Sequence, residues 1–435
     1  MITQYFKQTW AESRRNPLFT SLYVSGVALA VATVMVFSII YYVKLAPVYP
    51  EYSRERLCYF PVTRFATERG GQSMGGYSPW FINGWFRQLK NAEVLSVTYN
   101  KWDASFLTLE DGSNAKVVRR FTDPQFFEVY DYRLMAGRRF AQADFDAGRR
   151  EAVVSDGLAR RLFGSVETAV GKDITLDNLS FHVIGVFEEP SRVMEGTFVE
   201  VIAPYTAIPG WDAGIGNSGT GSFIAVGKVK DAEGLRLLRE EIDELVRQHN
   251  AEPANEWKYK LPSQPQTHME HFFDPNCMAS ADGIMKSAEE SRIADILFML
   301  AVLLFVPALN LSGMIAGRME WRCGEMGIRK SFGATRGRLL RQVLAENMIL
   351  TLAGGLGGLV VAWILLALSR SWIFGVLDSH SLIGGEVSLS GEMLFAPAVF
   401  AGALAVCLVL NLLSALIPAW WSLRRPIVSS LNEKR

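Results

Sequence analysis

Four side chains of metal-ligand type recur at three-residue steps in one short stretch of the sequence, HMEHFFDPNC (268–277). They are His268, His271, Asp274 and Cys277, and residues three apart share one face of a helix. Imidazole, carboxylate and thiolate groups are the ligands that zinc takes in proteins. Ligand types alone do not fix a four-coordinate geometry, however, and Pro275 interrupts a helix at this point. We therefore interpret the stretch as a surface segment and predict no metal site.

Two glycine-containing stretches resemble nucleotide-binding loops only superficially. In GSVETAVGKD (164–173) the glycines are seven residues apart, and Asp173 stands where a phosphate-binding loop has a Ser or Thr that holds magnesium. The stretch GIGNSG (214–219) matches G-x-G-x-x-G, but it neither follows a clear strand nor opens a helix. No nucleophile–base pairing is recognisable either. We predict that the chain is not an enzyme and carries no cofactor of its own.

A third stretch, EMGIRKSFGATRGRLLRQVLAEN (325–347), is basic and lies between two strongly apolar segments. Four uncharged runs occur in the chain, at 18–43, 296–317, 347–369 and 393–423. A membrane core of ~30 Å needs about 20 apolar helical residues, so each run is long enough to span. The first run is too long for a cleavable signal and is interpreted as a retained helix. The sequence thus predicts a membrane protein with four transmembrane helices.

The distribution of Lys and Arg predicts the orientation. The chain has 44 basic and 44 acidic residues. Residues 1–17, 318–345 and 424–435 nevertheless carry 14 basic and 4 acidic residues together. The connection 371–392 has neither Lys nor Arg. Because positive charges favour the cytoplasmic side, both termini and the 318–345 loop are expected inside, and residues 44–292 outside.

These inferences divide the chain into nine segments, which include a large mixed α/β extracytoplasmic domain between helices 1 and 2. We expect an amphipathic N-terminal helix with aromatic residues at interface depth, and an inserted subdomain at about 115–205 in the outer domain. The predicted segments are an N-terminal cytoplasmic helix (1–17), helix 1 (18–43), the outer domain (44–292), helix 2 (293–317), a cytoplasmic loop (318–345), helix 3 (346–369), a short outer loop (370–392), helix 4 (393–420) and a cytoplasmic tail (421–435).

Within the outer domain, strand-like and helix-like stretches alternate. Runs rich in β-branched and aromatic residues occur at 92–100, 150–156, 181–189 and 221–230. Helical patterns lie between them, and the clearest is at 231–250, where Leu235, Leu238, Ile242 and Val246 form one stripe.

Small residues predict close helix packing rather than a pore. Ser21-x-x-x-Ser25 and Gly354-x-x-x-Gly358 are spaced so that two helices can approach closely, within one chain or between two copies. The apolar runs contain no mid-membrane acid or histidine of the kind expected in a proton-coupled carrier.

The cysteines divide between compartments. Cys323 and Cys407 fall in cytoplasmic and intramembrane segments and are expected to stay reduced. Cys58 and Cys277 are both expected outside, where a disulfide could close the base of the outer domain. Their spacing alone does not establish the geometry of a bridge, so a pair of free thiols stays open as the alternative.

The basic stretch at 325–347 resembles the signature E-[IVM]-G-[IL]-R-[RK]-x-[LFI]-G-A-[TS] of FtsX-type permeases, followed at fixed spacing by a Glu. The C-terminal PAWWSLRRPIVSSL (418–431) is similar to the closing stretch of that family, although Ser422 replaces an Ala and Leu431 falls one position late. The matching positions of the signature are Glu325, Gly327, Ile328, Arg329, Lys330, Gly333, Ala334, Thr335 and Glu346.

The outer domain resembles the periplasmic core of MacB-type macrolide exporters. The similarity covers four stretches in the same order, and with the signature it extends over nearly the whole chain. The stretches are FTDPQFFEVYDYRLMAGRRF (121–140), EAVVSDGLARRLFG (151–164), VGKDITLDNLSFHVIGVFEE (170–189) and VEVIAPYTAI (199–208).

This resemblance implies a permease subunit of an ABC transporter of the mechanotransmission type, in the bacterial inner membrane. ATP and magnesium are expected on a separate cytoplasmic ATPase, because this sequence starts almost at its first apolar run. By the resemblance, the short helix of this loop is where that ATPase pushes. On the amphipathic pattern, Met326, Leu339, Leu340 and Val343 are expected to face the membrane or the partner, and Arg329, Lys330 and Arg336 to meet acidic partner groups or lipid phosphates. The alternative for the loop is a purely membrane-anchoring role.

The resemblance also implies the partners. A homodimer or a pair with a related permease is expected, with a possible periplasmic adaptor and outer-membrane channel, membrane lipid contacts and no nucleic acid. Export or extraction of an amphiphile, such as a drug, peptide, lipid or lipoprotein, is the function favoured by the large outer domain. The alternative is FtsX-like signal transmission to cell-wall enzymes without transport. Fold resemblance alone does not identify a substrate.

Overall fold

The structure is a computed structural model of the 435-residue chain. The residues that it describes are 2–67, 72–99, 105–109, 112–194, 196–212, 220–253, 257–261, 264–274, 328–375 and 397–424, with the isolated positions 294, 298, 302, 305 and 313.

The described residues contain three long apolar helices, an amphipathic helix at the N-terminus, and shorter helices among or next to the strands. Their bounds are α1 (Ile2–Arg15), α2 (Pro17–Leu45), α3 (Pro79–Gly84), α4 (Phe126–Val129), α5 (Gln142–Asp146), α6 (Asp156–Phe163), α7 (Val166–Ala169), α8 (Ala232–Ala251), α9 (His268–Phe273), α10 (Arg336–Gly375) and α11 (Pro397–Arg424).

The strands all lie between α2 and α9. Their bounds are β1 (Leu57–Phe60), β2 (Thr63–Thr67), β3 (Gln72–Tyr77), β4 (Val94–Tyr99), β5 (Ser105–Thr108), β6 (Asn114–Val117), β7 (Arg119–Thr122), β8 (Leu134–Gly137), β9 (Glu151–Ser155), β10 (Asp173–Leu176), β11 (Leu179–Phe187), β12 (Val201–Pro204), β13 (Thr220–Gly221), β14 (Phe223–Lys228), β15 (Trp257–Lys260) and β16 (Gln266–Thr267).

The chain divides into two compact units, which we call the membrane unit (residues 1–42, 293–375 and 389–435) and the outer unit (residues 43–292 and 376–388). Three described helices are long and apolar enough to cross a membrane, namely α2, residues 336–368 of α10 and residues 397–421 of α11. The predicted second span at 293–317 lies almost wholly outside the described residues, so the predicted count of four helices remains a prediction.

Helix α1 precedes the first span and ends at Arg15, and Pro17 then occupies the first position of α2. A proline is tolerated in the first turn because its missing N–H has no partner there. Phe6 and Trp10 are exposed on α1, while Thr9 is buried. Helix α1 contacts α10 within the membrane unit.

The outer unit is built on one strongly mixed sheet. Its main strand order is β15-β2-β3-β14-β4-β7-β12-β9-β11-β10-β5-β6, with β1, β8, β13 and β16 attached at the side. Strand β7 pairs in parallel with β12, and β9 pairs in parallel with β11. The predicted strand runs at 92–100, 150–156, 181–189 and 221–230 correspond to β4, β9, β11 and β14.

Alternation along the strands places a separate hydrophobic core on each face of this sheet. Ala152 and Val154 of β9 belong to a core that also contains α6 and α8, whereas Val153 faces a second core rich in Phe and Tyr. The same alternation separates Val201 and Ala203 of β12 from Ile202. This follows from the two-residue period of a strand. Both faces of the sheet are therefore buried in the central part of the outer unit.

Candidate functional site

The family-like loop makes a sharp turn at Gly333. Residues 328–331 form one helical turn, after which the N–H of Gly333 bonds the carbonyl of Lys330 at 3.0 Å and the N–H of Ala334 bonds that of Arg329 at 3.0 Å. This pair of bonds is the Schellman arrangement that closes a helix C-terminus. Gly333 has a φ of +89°, a left-handed conformation that a residue with a Cβ rarely adopts. Glycine is thus required here by the backbone.

Thr335 starts the long helix that follows. Its carbonyl accepts the N–H groups of Arg338 and Leu339 at 3.0 and 3.1 Å, and α10 begins at the next residue. The predicted site residues Ile328, Arg329, Lys330, Gly333, Ala334 and Thr335 therefore form one helix–turn–helix junction. Glu325 and Gly327 lie outside the described residues.

The apolar surface of this junction differs from the expected one. Leu339 and Val343 do not face outward; they are buried among Tyr23 and Val27 of the membrane unit, because α10 begins at Arg336 and turns this stripe toward α2. Phe332 is 87% exposed and Ile328 is half exposed. These two residues, rather than Leu339 and Val343, are available to contact a partner. Met326 lies outside the described residues.

A chain of polar contacts ties the turn to α10. Arg329 Nη1 donates to Gln342 Oε1 at 2.9 Å, and Gln342 Nε2 donates to Glu346 Oε1 at 3.0 Å. Glu346 is buried, and its carboxyl group therefore depends on hydrogen bonds from the protein rather than from water. The basic residue of the turn and the acidic residue of the signature are thus linked through one helix face.

Gly354 and Gly358 lie where α10 meets α2. A Cβ on Gly354 would stand 2.8 Å from Val27 Cβ, and one on Gly358 would stand 2.6 Å from the carbonyl oxygen of Ala28. Such approaches are closer than real side chains allow, so the two backbones meet only because these residues are glycines.

Ser21 and Ser25 lie on another face of α2. Both side chains are exposed, and each donates to a carbonyl of its own helix, Leu18 and Leu22 respectively. Side chains bonded to their own helix in this way are common in apolar helices. The α2–α10 contact within the chain therefore does not use them, and their role between two copies stays a prediction.

Sequence reasoning missed a polar cluster inside the membrane unit. Tyr23 Oη and Thr351 Oγ1 are 3.1 Å apart, and Asn411 Nδ2 donates to the same Thr351 oxygen at 3.3 Å. These residues connect α2, α10 and α11. Each apolar run supplies one member of the cluster but also contains other polar residues, so the sequence is not enough to predict which ones meet.

At the base of the outer unit, a buried ion pair holds the end of α2. Arg54 Nε donates to Glu51 Oε2 at 2.7 Å, and Thr197 Oγ1 donates to the other Glu51 oxygen at 2.7 Å. Burial by itself raises the pKa of Glu51, but Arg54, His268 and these hydrogen bonds lower it overall. Arg54 Nη1 also donates to the carbonyls of Val43 and Ala46.

The histidines of the 268–277 stretch bond to protein groups. His268 Nε2 donates to the carbonyl of Lys44 at 3.0 Å, and its Nδ1 accepts from Tyr59 Oη at 3.1 Å. His271 stacks on the Tyr59 ring with centroids 4.4 Å apart. Burial lowers the pKa of both histidines, to about 4 for His271. Across the described ranges, no three His, Cys, Asp or Glu side chains come together as metal ligands would.

Cys58 is buried on β1, with its Sγ beside Gly227. Burial raises the pKa of this thiol to about 12. Cys277 lies outside the described residues, as does the glycine stretch at 214–219. The Cys58–Cys277 bridge therefore stays a prediction.

Comparison with known families covers most of the chain. The profile of the MacB-like periplasmic core domain matches residues 20–245, and that of the FtsX-like permease C-terminal region matches residues 297–427. The first match spans the first membrane helix and most of the outer unit. The second spans the Gly333 junction and both later helices.

Individual relatives are distant. The chain is 25% identical over 239 residues to the uncharacterized ABC transporter permease YknZ of Bacillus subtilis, covering 55% of this chain and 54% of that one. It is 25% identical over 315 residues to the pyoverdine export ATP-binding/permease protein PvdT of Pseudomonas fluorescens, covering 72% and 42%. It is 26% identical over 309 residues to the macrolide export ATP-binding/permease protein MacB of Chromobacterium violaceum, covering 70% and 41%.

The chain spans about half the length, or less, of these relatives. The two profile matches nevertheless follow one another along the same chain, in the order core domain and then permease region. The structure adds a mixed α/β outer unit and apolar helices in the matching places. This chain belongs to the FtsX-like ABC transporter permeases that carry a MacB-like periplasmic core domain.

Proposed function

We propose that this chain is an inner-membrane permease subunit that couples ATP hydrolysis by a separate cytoplasmic ATPase to conformational change of its outer unit. The observation that carries the proposal is the Gly333 junction, which presents an exposed Phe332 beside Arg329 and joins it rigidly to α10. An exposed aromatic side chain next to basic groups suits a protein partner with an apolar pocket and acidic rim. ATP and magnesium bind to the partner ATPase in this proposal.

Contacts inside the membrane unit support the transmission of force. A push on the junction reaches α10 through Arg329, Gln342 and Glu346. Helix α10 cannot slide freely against α2, because Gly354 and Gly358 bring the two backbones into direct contact. Helix α2 continues without a break to Leu45, past the start of the outer unit at Val43. Movement of the loop is therefore converted into movement of α2.

The distribution of Lys and Arg along the chain supports the proposed orientation in the membrane. In the proposed topology both termini and the loop at 318–345 are cytoplasmic, since these segments carry the excess of Lys and Arg. The outer unit is then periplasmic. Residues 293–317 form helix 2 in this proposal and bring the number of spans to four.

We propose export or extraction of an amphiphile as the transport function. Two of them are named for macrolide export and pyoverdine export, and both substrates leave the cell. A periplasmic adaptor and an outer-membrane channel would complete such a pathway. If the genes beside this one encode a cell-wall hydrolase and no adaptor, the signalling function replaces export.

A dimer of permeases is the expected assembly, since an ATPase dimer offers two equivalent faces. Leu18, Leu22 and Leu29 are exposed on α2 near Ser21 and Ser25, so this side of the helix is available to a second copy. Ser25→Cys should form a disulfide between copies in native membranes. Val27→Cys, whose position is buried against α10, should not. Monomer alone with both variants would contradict the dimer on this face.

The coupling proposal is tested by reconstitution with a candidate ABC-type ATPase from the same organism. The purified full-length chain alone should show no ATP hydrolysis, and adding it to the ATPase in lipid nanodiscs should stimulate hydrolysis. Hydrolysis by the chain alone would falsify the separate-ATPase assignment. Unchanged activity of the ATPase on addition of the chain would contradict coupling.

A further inference from the structure

The outer unit contains an open cleft of about 720 Å³ that none of the contacts described above explains. Its size falls within the range of about 300–1,000 Å³ typical of small-molecule sites. The cleft runs along the face of the sheet that carries Tyr59 of β1, Ile224 and Val226 of β14, Thr98 of β4 and Arg120 of β7. All of these residues belong to the outer unit.

Arg120 is the charged group of interest in this cleft. Its Nε is buried and, among the residues that the structure describes, has no hydrogen-bond partner. Its guanidinium lies 5.7 Å from the centroid of the Phe126 ring, a contact that gives the Nε–H group no hydrogen-bond acceptor. A buried donor of a permanently charged side chain is costly unless an acceptor meets it.

The neighbouring residue on the same strand, Arg119, has its guanidinium hydrogen-bonded to a carboxylate. Arg119 Nε donates to Asp177 Oδ2 at 2.6 Å, and its guanidinium covers the Phe121 ring at 4.6 Å. Because side chains alternate along a strand, Arg119 and Arg120 lie on opposite faces of the sheet. Arg119 therefore has an internal carboxylate, and Arg120 faces the cleft without a described one.

The remaining walls are apolar and aromatic. Tyr59, stacked on His271, forms one side together with Tyr130. Ile224, Val226 and the exposed Met74 also line the cleft. The nearby carboxylate of Glu51 is held by Arg54 and Thr197. An apolar wall with one unmatched cation fits a molecule that has an acidic group at one end and an apolar body.

We propose that this cleft binds a small organic anion, with its acidic group on Arg120 and its aromatic or aliphatic body against Tyr59, Ile224 and Val226. The site is a property of the outer unit and does not depend on ATPase coupling. A chain that signals without transporting would bind the same ligand class. Failure of one proposal therefore leaves the other intact.

The test is calorimetric titration of the full-length chain in lipid nanodiscs with naphthalene-2-sulfonate, with empty nanodiscs as reference. Neutral 2-naphthol and inorganic sulfate serve as matched probes that keep only the ring or only the charge. We expect saturable binding of the sulfonate to the wild-type chain, and binding of either matched probe that is about tenfold weaker or more.

Arg120→Gln should weaken sulfonate binding about tenfold or more, whereas Arg119→Gln, on the opposite face, should leave it unchanged. Ile224→Trp, on another strand, should fill the cleft and also abolish binding. This variant keeps the test valid if Arg120→Gln does not fold. Thermal unfolding checks each variant. Equal affinity of wild type and Arg120→Gln, equal affinity for 2-naphthol, or no saturable binding at millimolar concentration would overturn the proposal.

Discussion

Arg54 Nη1 donates a hydrogen bond of 2.8 Å to the carbonyl oxygen of Val43, the residue at which the outer unit begins. The last carbonyls of a helix have no partner within it, and a cation at that end also complements the helix dipole. The same guanidinium neutralises the buried Glu51. Arg54 therefore donates to a carbonyl at the end of α2 and also compensates the charge of Glu51.

Replacing Arg54 by Met should destabilise the outer unit by about 3–5 kcal/mol, because Glu51 would be left as an uncompensated buried charge. The measurement is hydrogen exchange of strands β1 and β16 in the full-length chain, where protection should fall. Arg133→Met is the matched control, since Arg133 pairs with Glu188 at an exposed site and should contribute little. Equal protection in Arg54→Met and wild type would show that the buried pair is dispensable.

Gly358→Ala should weaken the membrane unit by about 1–3 kcal/mol, because the new Cβ would meet the Ala28 backbone oxygen at 2.6 Å and the helices must separate. The midpoint of unfolding by SDS in mixed micelles should fall. At Gly357, one residue earlier, a Cβ would only touch Ala28 Cβ at 3.9 Å, so Gly357→Ala should behave as wild type. The same loss in both variants would instead indicate a general effect on the helix.

Gly333 could be assigned from the family signature, and the first, third and fourth apolar runs from the sequence, because both depend on local properties. A glycine in a motif needs only its own backbone conformation, and a span needs only length and apolarity. The partner of Arg329 could not be predicted in this way, since Gln342 stands among several polar residues of α10. Which side of α10 becomes buried depends on the neighbouring helices, and this is why Leu339 and Val343 were expected on the wrong face.

The cleft in the outer unit could not be predicted from the sequence either, because it depends on contacts between distant parts of the chain. Arg119 and Arg120 are adjacent and chemically identical. Only the fold decides that Asp177 meets one of them. Asp177 and Asn178 have φ values of 50° and 66° in the turn between β10 and β11, and this turn brings the carboxylate to Arg119 from a distant part of the chain. Strand alternation then leaves Arg120 on the other face.

His271 should contribute a loss of stability of the outer unit as the pH drops from about 6.5 to about 4. Its pKa is lowered from 6.5 to about 4 by burial. The unfolded chain thus binds a proton over this range while the folded chain does not. His271→Phe keeps the stacking on Tyr59 and should remove this contribution, so that less stability is lost between pH 6.5 and pH 4 than in the wild type, as measured by hydrogen exchange of β1.

His182 offers a control for that profile. It is a surface histidine that pairs with Asp173, so His182→Phe makes the same substitution away from the Tyr59 contact. A slope that persists unchanged in His271→Phe would show that other groups, such as His268, carry the pH dependence.

Variants at the Gly333 junction can distinguish loss of contact with the ATPase from loss of the fold. Phe332→Ser removes an 87% exposed side chain and should leave the fold intact while reducing recovery of the ATPase with the chain. Charge reversal at Arg329 and Lys330 should have the same effect, since it also breaks the bond to Gln342. Insertion should be unaffected because other inner-face positive charges remain.

Gly333→Val should also abolish stimulation of the ATPase, for a different reason: at a φ of +89° a β-branched residue is strained, and the Schellman turn would reopen. Reversal of Arg424 and Arg425, which lie outside the signature, is the matched control and should be milder. The measurement is ATPase recovered per permease from membranes of equal permease content, followed by ATP hydrolysis in nanodiscs. Phe332→Ser tests the contact alone and Gly333→Val tests the turn alone. Loss of ATPase recovery or stimulation in both variants would therefore show that the ATPase binds at this junction. Normal recovery and normal stimulation in all three junction variants would mean that the stretch only anchors the chain at the membrane.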